Sequence, residues 1–83
     1  MKRKKNRKVA EAWSDSLEAR NHRHSYWTNG KELFSYNLKI GDTCLETDMK
    51  VLRDYTANGR HGFKSQTTSC HVGLARLHAD LVD

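Results

Sequence analysis

Two Asn-Gly pairs, Asn29-Gly30 and Asn58-Gly59, constrain the fold of this 83-residue chain more than any other feature. Such a pair between strand-forming runs is the strongest short-range signal for a β-hairpin, because both residues tolerate the positive φ of a tight turn. The first pair joins residues 25–28 to a run from Phe34 to Ile40 in which apolar and polar residues alternate. The second is expected to return the chain through residues 63–66. We therefore predict three to four antiparallel strands.

Helices are predicted on both sides of these strands. In residues 9–20 the apolar side chains Val9, Trp13 and Leu17 recur every fourth position, which indicates an amphipathic helix. Near the other end of the chain, hydroxyl residues that favour helix N-caps precede an apolar series. That series is Val72, Leu74, Leu77 and Leu81. The predicted fold class is α+β, with an N-terminal helix, a three- to four-stranded antiparallel meander and a C-terminal helix.

A chain of this length supports one hydrophobic core, so residues 9–83 are predicted to form a single α+β domain. Period-two alternation places Phe34 on the buried face of its strand, and the helical series places Leu77 in the core. Tyr26 and Trp27 are adjacent in a predicted strand, so one ring must point away from the other. Tyr26 or Trp27 is therefore the candidate for an exposed ring, and if that ring is Tyr26, Tyr26→Ala should destabilise less than Phe34→Ala.

The positive charge of the chain is concentrated at its N-terminus. Six of the fifteen Lys and Arg residues lie in the first eight positions, whereas residues 9–83 carry nine against all ten Asp and Glu. The six are Lys2, Arg3, Lys4, Lys5, Arg7 and Lys8. Such a block repels itself and has no apolar residue after Met1, so residues 1–8 are predicted to be a disordered basic tail. It is expected to bind nucleic acid or an acidic protein surface, with solubility alone as the alternative role.

Several classes of protein are disfavoured by the sequence. No apolar run approaches the length of a membrane span, and Cys44 and Cys70 are too few for the disulfide framework of a small secreted domain. We expect a cytoplasmic protein without membrane association, whose oligomeric state is open. No phosphate loop, paired catalytic acids or metal-ligand spacing occurs, so no enzyme activity, cofactor or metal is predicted.

A cluster of hydroxyl residues and a histidine marks the start of the predicted C-terminal helix. Thr67, Thr68, Ser69 and His71 lie where backbone N–H groups are unpaired and the helix dipole favours an anion. They form a candidate anion-binding site. The alternative is that one of the hydroxyls simply caps the helix.

Two segments together resemble a known group of proteins. Leu33-Phe34-Ser35-Tyr36-Asn37, followed later by Thr67-Thr68-Ser69-Cys70-His71, is similar to a pattern in small uncharacterised proteins of tailed bacteriophages. In those proteins a Ser-Tyr strand precedes a Thr-Thr-Ser-x-His segment. The resemblance covers residues 33–76. It implies a phage origin, expression in the host cytoplasm and an accessory role, but no substrate.

Two functions compete on these observations. The first is a phage-type accessory protein that associates with nucleic acid through its basic N-terminal tail, with phosphate contacts giving affinity independent of base sequence. The alternative is a protein-binding module whose tail docks on an acidic surface and inhibits or modulates a host complex. The nearly neutral body weakens the first hypothesis, because nucleic-acid readers usually carry basic residues on the folded surface.

Overall fold

The computed structural model describes residues 5–57 and 59–83 as two helices and six strands. The elements are α1 (Asn6–Ser14), β1 (Glu18–Arg20), β2 (Tyr26–Asn29), β3 (Leu33–Ser35), β4 (Leu38–Thr43), β5 (Lys50–Leu52), α2 (Gln66–Arg76) and β6 (Leu81–Val82). The predicted α+β class is confirmed, with one helix before the main run of strands and one after it. Neither helix is long and apolar enough to cross a membrane, within the residues described.

The strands form one sheet in the order β1-β2-β3-β4-β5-β6. Neighbours from β1 to β5 are antiparallel, whereas β6 pairs parallel with β5 after the chain has passed through α2. The sheet of the described residues is therefore mixed and larger than the predicted antiparallel meander. The additional strands β1 and β6 have three and two residues, too few to display a period of two in the sequence.

Helix α1 begins and ends earlier than residues 9–20. Ser16 has φ 59°, and the N–H of Leu17 donates to the carbonyl of Ala12 at 2.8 Å, which is the 6→1 bond of a Schellman motif. The chain thus leaves the helix at Ser14 and Leu17 is exposed. At the other end, the last three residues of the predicted tail are helical. Residues 1–4 lie outside the described part of the chain.

The alternating run from Phe34 to Ile40 is two strands and not one. Ser35 and Leu38 are paired across a two-residue turn in which Tyr36 has φ 56°. In β3 the buried residues are Leu33 and Ser35, so the predicted apolar face of this segment is wrong by one residue. No glycine marks the turn, which is why its position was not evident from the sequence.

The two Asn-Gly pairs have different surroundings. Strands β2 and β3 are antiparallel and are joined by a turn that begins at Asn29, where Gly30 has φ 96° and Asn29 Oδ1 accepts hydrogen bonds from the backbone N–H groups of Lys31 and Glu32. In the second pair, Asn58 lies outside the described residues. The return strand predicted through residues 63–66 does not form. Residues 63–65 are irregular instead, and Gln66 begins α2.

The core lies between the two helices and one face of the sheet. Its largest fully buried side chains include Trp13, Tyr26, Leu33, Ile40, Leu52 and His71. Tyr26 is therefore a core residue, so the condition under which its loss would be the milder one does not hold. Leu77 is 81% exposed, because α2 ends at Arg76 and the apolar series continues beyond the helix. The prediction that Leu77 belongs to the core is wrong.

Lys50 is buried as well. Its Nζ donates to Ser16 Oγ, to the carbonyl of Gly30 and to Thr43 Oγ1 at 2.8–3.2 Å, so all three ammonium protons have acceptors. Burial lowers the pKa of Lys50 below its usual value. The contacts tie the end of α1 and the Gly30 turn to β4 and β5.

Candidate nucleic-acid interface

A row of aromatic and basic residues crosses the sheet on the face away from the helices. Arg20 pairs with Trp27, Trp27 with Phe34, and Phe34 with Lys39 in the registers of β1 to β4. Their chain neighbours Ala19, Tyr26, Leu33 and Ile40 are buried on the helix side. Because successive side chains in a strand point to opposite faces, the row lies on the open face. Two aromatic rings are thus flanked by two basic side chains.

The rings of this row pack against one another. Trp27 and Phe34 are stacked with centroids 4.2 Å apart and planes 9° from parallel, and the ring of His24 meets Trp27 edge to face at 5.2 Å. The indole Nε1–H of Trp27 donates to the carbonyl of Tyr36 at 2.9 Å. This bond fixes the indole beside the β3–β4 turn.

An open groove of about 430 Å³ lies beside Trp27, between the β1–β2 and β3–β4 turns. It is lined by His24, Trp27, Tyr36 and Asn37, and we refer to it as the aromatic groove. Its volume falls in the range of about 300–1,000 Å³ that is typical of small-ligand sites. Three of the four lining residues carry aromatic rings and none is acidic.

Two side chains of the aromatic groove are carried on left-handed backbone. His24 and Tyr36 both have φ 56°, a conformation that is uncommon outside glycine and unfavourable for a bulky residue. Tyr36 is 52% exposed, and the covered part of its ring lies near the core, with its centroid 6.4 Å from that of His71. Unfavourable backbone of this kind is often found at binding sites.

Hydrogen bonds bring the start of α1 to the same end of the sheet as the aromatic groove. The side-chain amide of Asn21 donates to Asn6 Oδ1 and to Ser25 Oγ, both at 2.9 Å. Ser25 in turn accepts, at its carbonyl, the backbone N–H of Tyr36 at 2.8 Å. The β1–β2 turn therefore contacts both the first residue of α1 and the β3–β4 turn.

The N-terminus of α1 is strongly basic. Lys5, Arg7 and Lys8 are exposed, the first turn has no acidic residue, and Lys5 at the N-cap makes no side-chain capping bond. Lys8 pairs with Glu11 at 3.2 Å, one turn along the helix. Positive side chains at the positive end of a helix dipole are unfavourable unless an anion offsets them. Of the predicted tail, Lys2, Arg3 and Lys4 lie outside the described residues.

The row of Arg20, Trp27, Phe34 and Lys39, which we call the aromatic row, has one ion-paired and one unpaired basic end within the described residues. Lys39 lies 3.3 Å from both Glu32 and Asp42, and its hydrogen bond with Asp42 raises the pKa of its ammonium. Arg20, at the other end of the row, forms no ion pair with the part of the chain that the structure describes. Positive charge is therefore available at the β1 end, where the exposed Arg23 also lies in the following turn.

The predicted anion-binding cluster is divided by the structure. Ser65 caps α2, accepting the backbone N–H of Thr68 at 3.1 Å. Thr68 and His71 are buried, whereas Thr67 is exposed and Ser69 donates to the carbonyl of Tyr55 at 3.4 Å. These four residues do not share one surface, and the capping residue lies before all of them.

The cysteines and histidines are dispersed. Cys44 and Cys70 are free and exposed. Within residues 5–57 and 59–83, no three His, Cys, Asp or Glu side chains come together as metal ligands would.

The strand register that lines up the row was not evident from the sequence. Of the two adjacent rings, Tyr26 is fully buried, whereas Trp27 lies on the open face and is partly buried. Comparison of the chain with known protein families, curated proteins and solved structures finds no match.

Proposed function

We propose that this chain binds nucleic acid through its basic N-terminal segment, Lys2 to Lys8, and that the folded domain adds contacts from its open sheet face. The resemblance to small phage proteins is compatible with an accessory role of this kind. The observation that carries the proposal is the Asn21–Asn6 hydrogen bond of 2.9 Å, which holds the basic start of α1 next to the turn carrying Arg23 and His24.

Local electrostatics support the proposal. The first turn of α1 combines exposed cations with unpaired N–H groups and lacks a side-chain cap. A polyanion such as the phosphate backbone would pair with the cations and accept hydrogen bonds from the N–H groups. On the open face, Arg20 and the aromatic rings of Trp27 and Phe34 form the mixture of positive charge and stacking surface that nucleic-acid binders use. The folded body therefore contributes a local basic and aromatic surface although its net charge is slightly negative.

Salt dependence tests the proposal. Fluorescence anisotropy with a labelled duplex at three salt concentrations should give a log–log slope of about −5 for the intact chain, since each of six phosphate contacts contributes roughly −0.9. A variant with Gln at all six basic positions of residues 2–8 should lose most of the binding. A variant with Gln at Arg60 and Lys64, two basic residues on the loop before α2, is the control and should bind nearly as well as the intact chain.

A flat salt response, or equal binding by the intact and tail-neutralised chains, would contradict the proposal. Negligible affinity near physiological salt, together with retention of an acidic host protein by the intact chain alone, would instead support the protein-binding alternative.

A further inference from the structure

We infer that the aromatic groove of His24, Trp27, Tyr36 and Asn37 receives one unpaired base, so that the protein binds single-stranded nucleic acid more tightly than duplex. The inference rests on the proposed function, because the basic segment supplies the attraction to the backbone. It names the form of nucleic acid, which phosphate contacts alone do not select.

The lining of the groove suits a flat aromatic ligand. Trp27 forms part of its lining, and the hydrogen bond from Nε1 to the carbonyl of Tyr36 together with the stack on Phe34 hold the indole in place without a ligand. Preorganised rings of this kind lose little freedom on binding. The side-chain amide of Asn37 can donate to and accept from the edge of a base.

Charge favours a base on a phosphate backbone over an apolar peptide. No carboxylate lines the groove, Arg20 lies opposite Trp27 without an ion pair in the described residues, and Arg23 is exposed next to His24. A strand whose base enters the groove can therefore run past the β1–β2 turn toward the basic start of α1. The bases of an intact duplex are stacked and paired, so they cannot enter a groove between two turns.

The positive φ of Tyr36 allows a clean test of the ring. Asn tolerates left-handed backbone better than Tyr does, and this gain opposes the loss of the Tyr36 ring beside His71, 6.4 Å away between centroids, so Tyr36→Asn should remove the ring with little change in stability. Phe63→Ala is the matched control, because Phe63 is also an exposed aromatic, 56% accessible, and is not among the residues that line the aromatic groove.

The experiment measures the affinity of the full chain for a 12-nucleotide oligo-thymidine strand and for a duplex of the same length, at one salt concentration. The intact chain should prefer the single strand, and Tyr36→Asn should weaken single-strand binding by about 5-fold or more, as loss of one stacked base predicts. Duplex binding by Tyr36→Asn, and both affinities of Phe63→Ala, should stay within about twofold. Trp27→Phe, which keeps a ring but loses the indole N–H, should give an intermediate loss.

Two results would overturn the inference: equal affinity of the intact chain for strand and duplex, or unchanged single-strand affinity in Tyr36→Asn. If duplex binding still depends on the basic segment in those cases, the proposed function stands and only the base site fails. If neither nucleic acid is bound by the intact chain, the proposed function fails with it.

Discussion

The imidazole ring of His71 lies nearly parallel to the phenol ring of Tyr26, with the ring centroids 4.2 Å apart and the planes 6° from parallel. The Tyr26 hydroxyl donates to the backbone carbonyl of His71 at 3.0 Å, and Ser35 Oγ lies 2.7 Å from His71 Nδ1. Ser65 donates to Thr68, which lies 3.0 Å from Ser35, so the hydroxyls can form one directed chain that ends on an unprotonated Nδ1. This cluster joins α2 to the sheet and requires neutral His71.

The first prediction is that stability falls in mild acid because of His71. Burial lowers the pKa of His71 to about 4, below its ordinary value of 6.5. Between these pH values the unfolded chain binds a proton at His71 that the folded protein does not bind. The contribution of neutral His71 to the free energy of unfolding is therefore fully present above about pH 6.5 and is lost as the pH falls toward 4. Urea unfolding should show a loss of about 2 kcal/mol from pH 7 to pH 5.

His71→Phe keeps a ring against Tyr26 and should remove most of this pH dependence, although it lowers stability at pH 7. The exposed His22 provides the control, since His22→Gln should leave the pH dependence as it is in the parent chain. An unchanged slope in His71→Phe would mean that another group is responsible.

The second prediction contrasts Tyr26 and Leu77, which differ in burial in the structure. Tyr26 is fully buried and Leu77 is 81% exposed. Tyr26→Ala should therefore lower the free energy of unfolding by about 3–5 kcal/mol, and Leu77→Ala should change it by no more than about 0.5 kcal/mol. Chemical denaturation of both variants checks this. Comparable losses at the two positions would contradict the packing described for α2.

The third prediction uses two glycines in opposite environments. A Cβ on Gly41 would lie 2.8 Å from Trp13 Cζ2 and 3.0 Å from Leu33 Cβ, whereas a Cβ on Gly73 in α2 would meet no atom within 4 Å. Gly41→Ala should destabilise by about 1–3 kcal/mol through overpacking. Gly73→Ala should stabilise by about 0.5–1 kcal/mol, since alanine is the better helix former. The melting temperatures of the two variants should shift in opposite directions. Shifts of the same sign would contradict the environments described for Gly41 and Gly73.

The fourth prediction is that the hydroxyl groups around Thr68 contribute to stability and not to nucleic-acid binding. Thr68 donates and accepts within the buried chain that links Ser65 to Ser35. Thr68→Val should cost about 1–3 kcal/mol of stability, because it leaves buried polar partners unsatisfied. Its affinity for nucleic acid, measured well below the melting temperature, should equal that of the parent chain. Weaker binding by a fully folded Thr68→Val would support the predicted anion site.

The sequence predicted the order of helix, strands and helix because Val9, Trp13 and the alternating run near Phe34 carry strong periodicity. It did not predict β1 or β6, whose two or three residues are too few to show a period. It also missed the turn at Tyr36, since a bulky residue in left-handed backbone gives no turn signal. That omission reversed the face assigned to β3.

The candidate site depended on register. Arg20, Trp27, Phe34 and Lys39 are distant in sequence and become neighbours only through the pairing of four strands. A shift of one residue in any strand would move its side chain to the other face, and the only turn signal evident in the sequence among these strands, Asn29-Gly30, constrains the β2–β3 pairing alone. The basic segment, by contrast, was evident from charge alone, but the position of the start of α1 beside the β1–β2 turn depends on the contact between Asn6 and Asn21.

The most direct test of the account is an NMR titration that follows the two indole N–H signals. Trp13 is buried and donates to the carbonyl of Lys31 at 3.2 Å, whereas Trp27 donates to Tyr36 at the edge of the aromatic groove. Addition of a short oligo-thymidine strand should shift or broaden the Trp27 indole signal and leave that of Trp13 in place, as an internal control. The backbone signals of Tyr36, Asn37 and Lys5 should move with Trp27. Saturation of the protein without a change at Trp27, or an equal change at Trp13, would contradict the account.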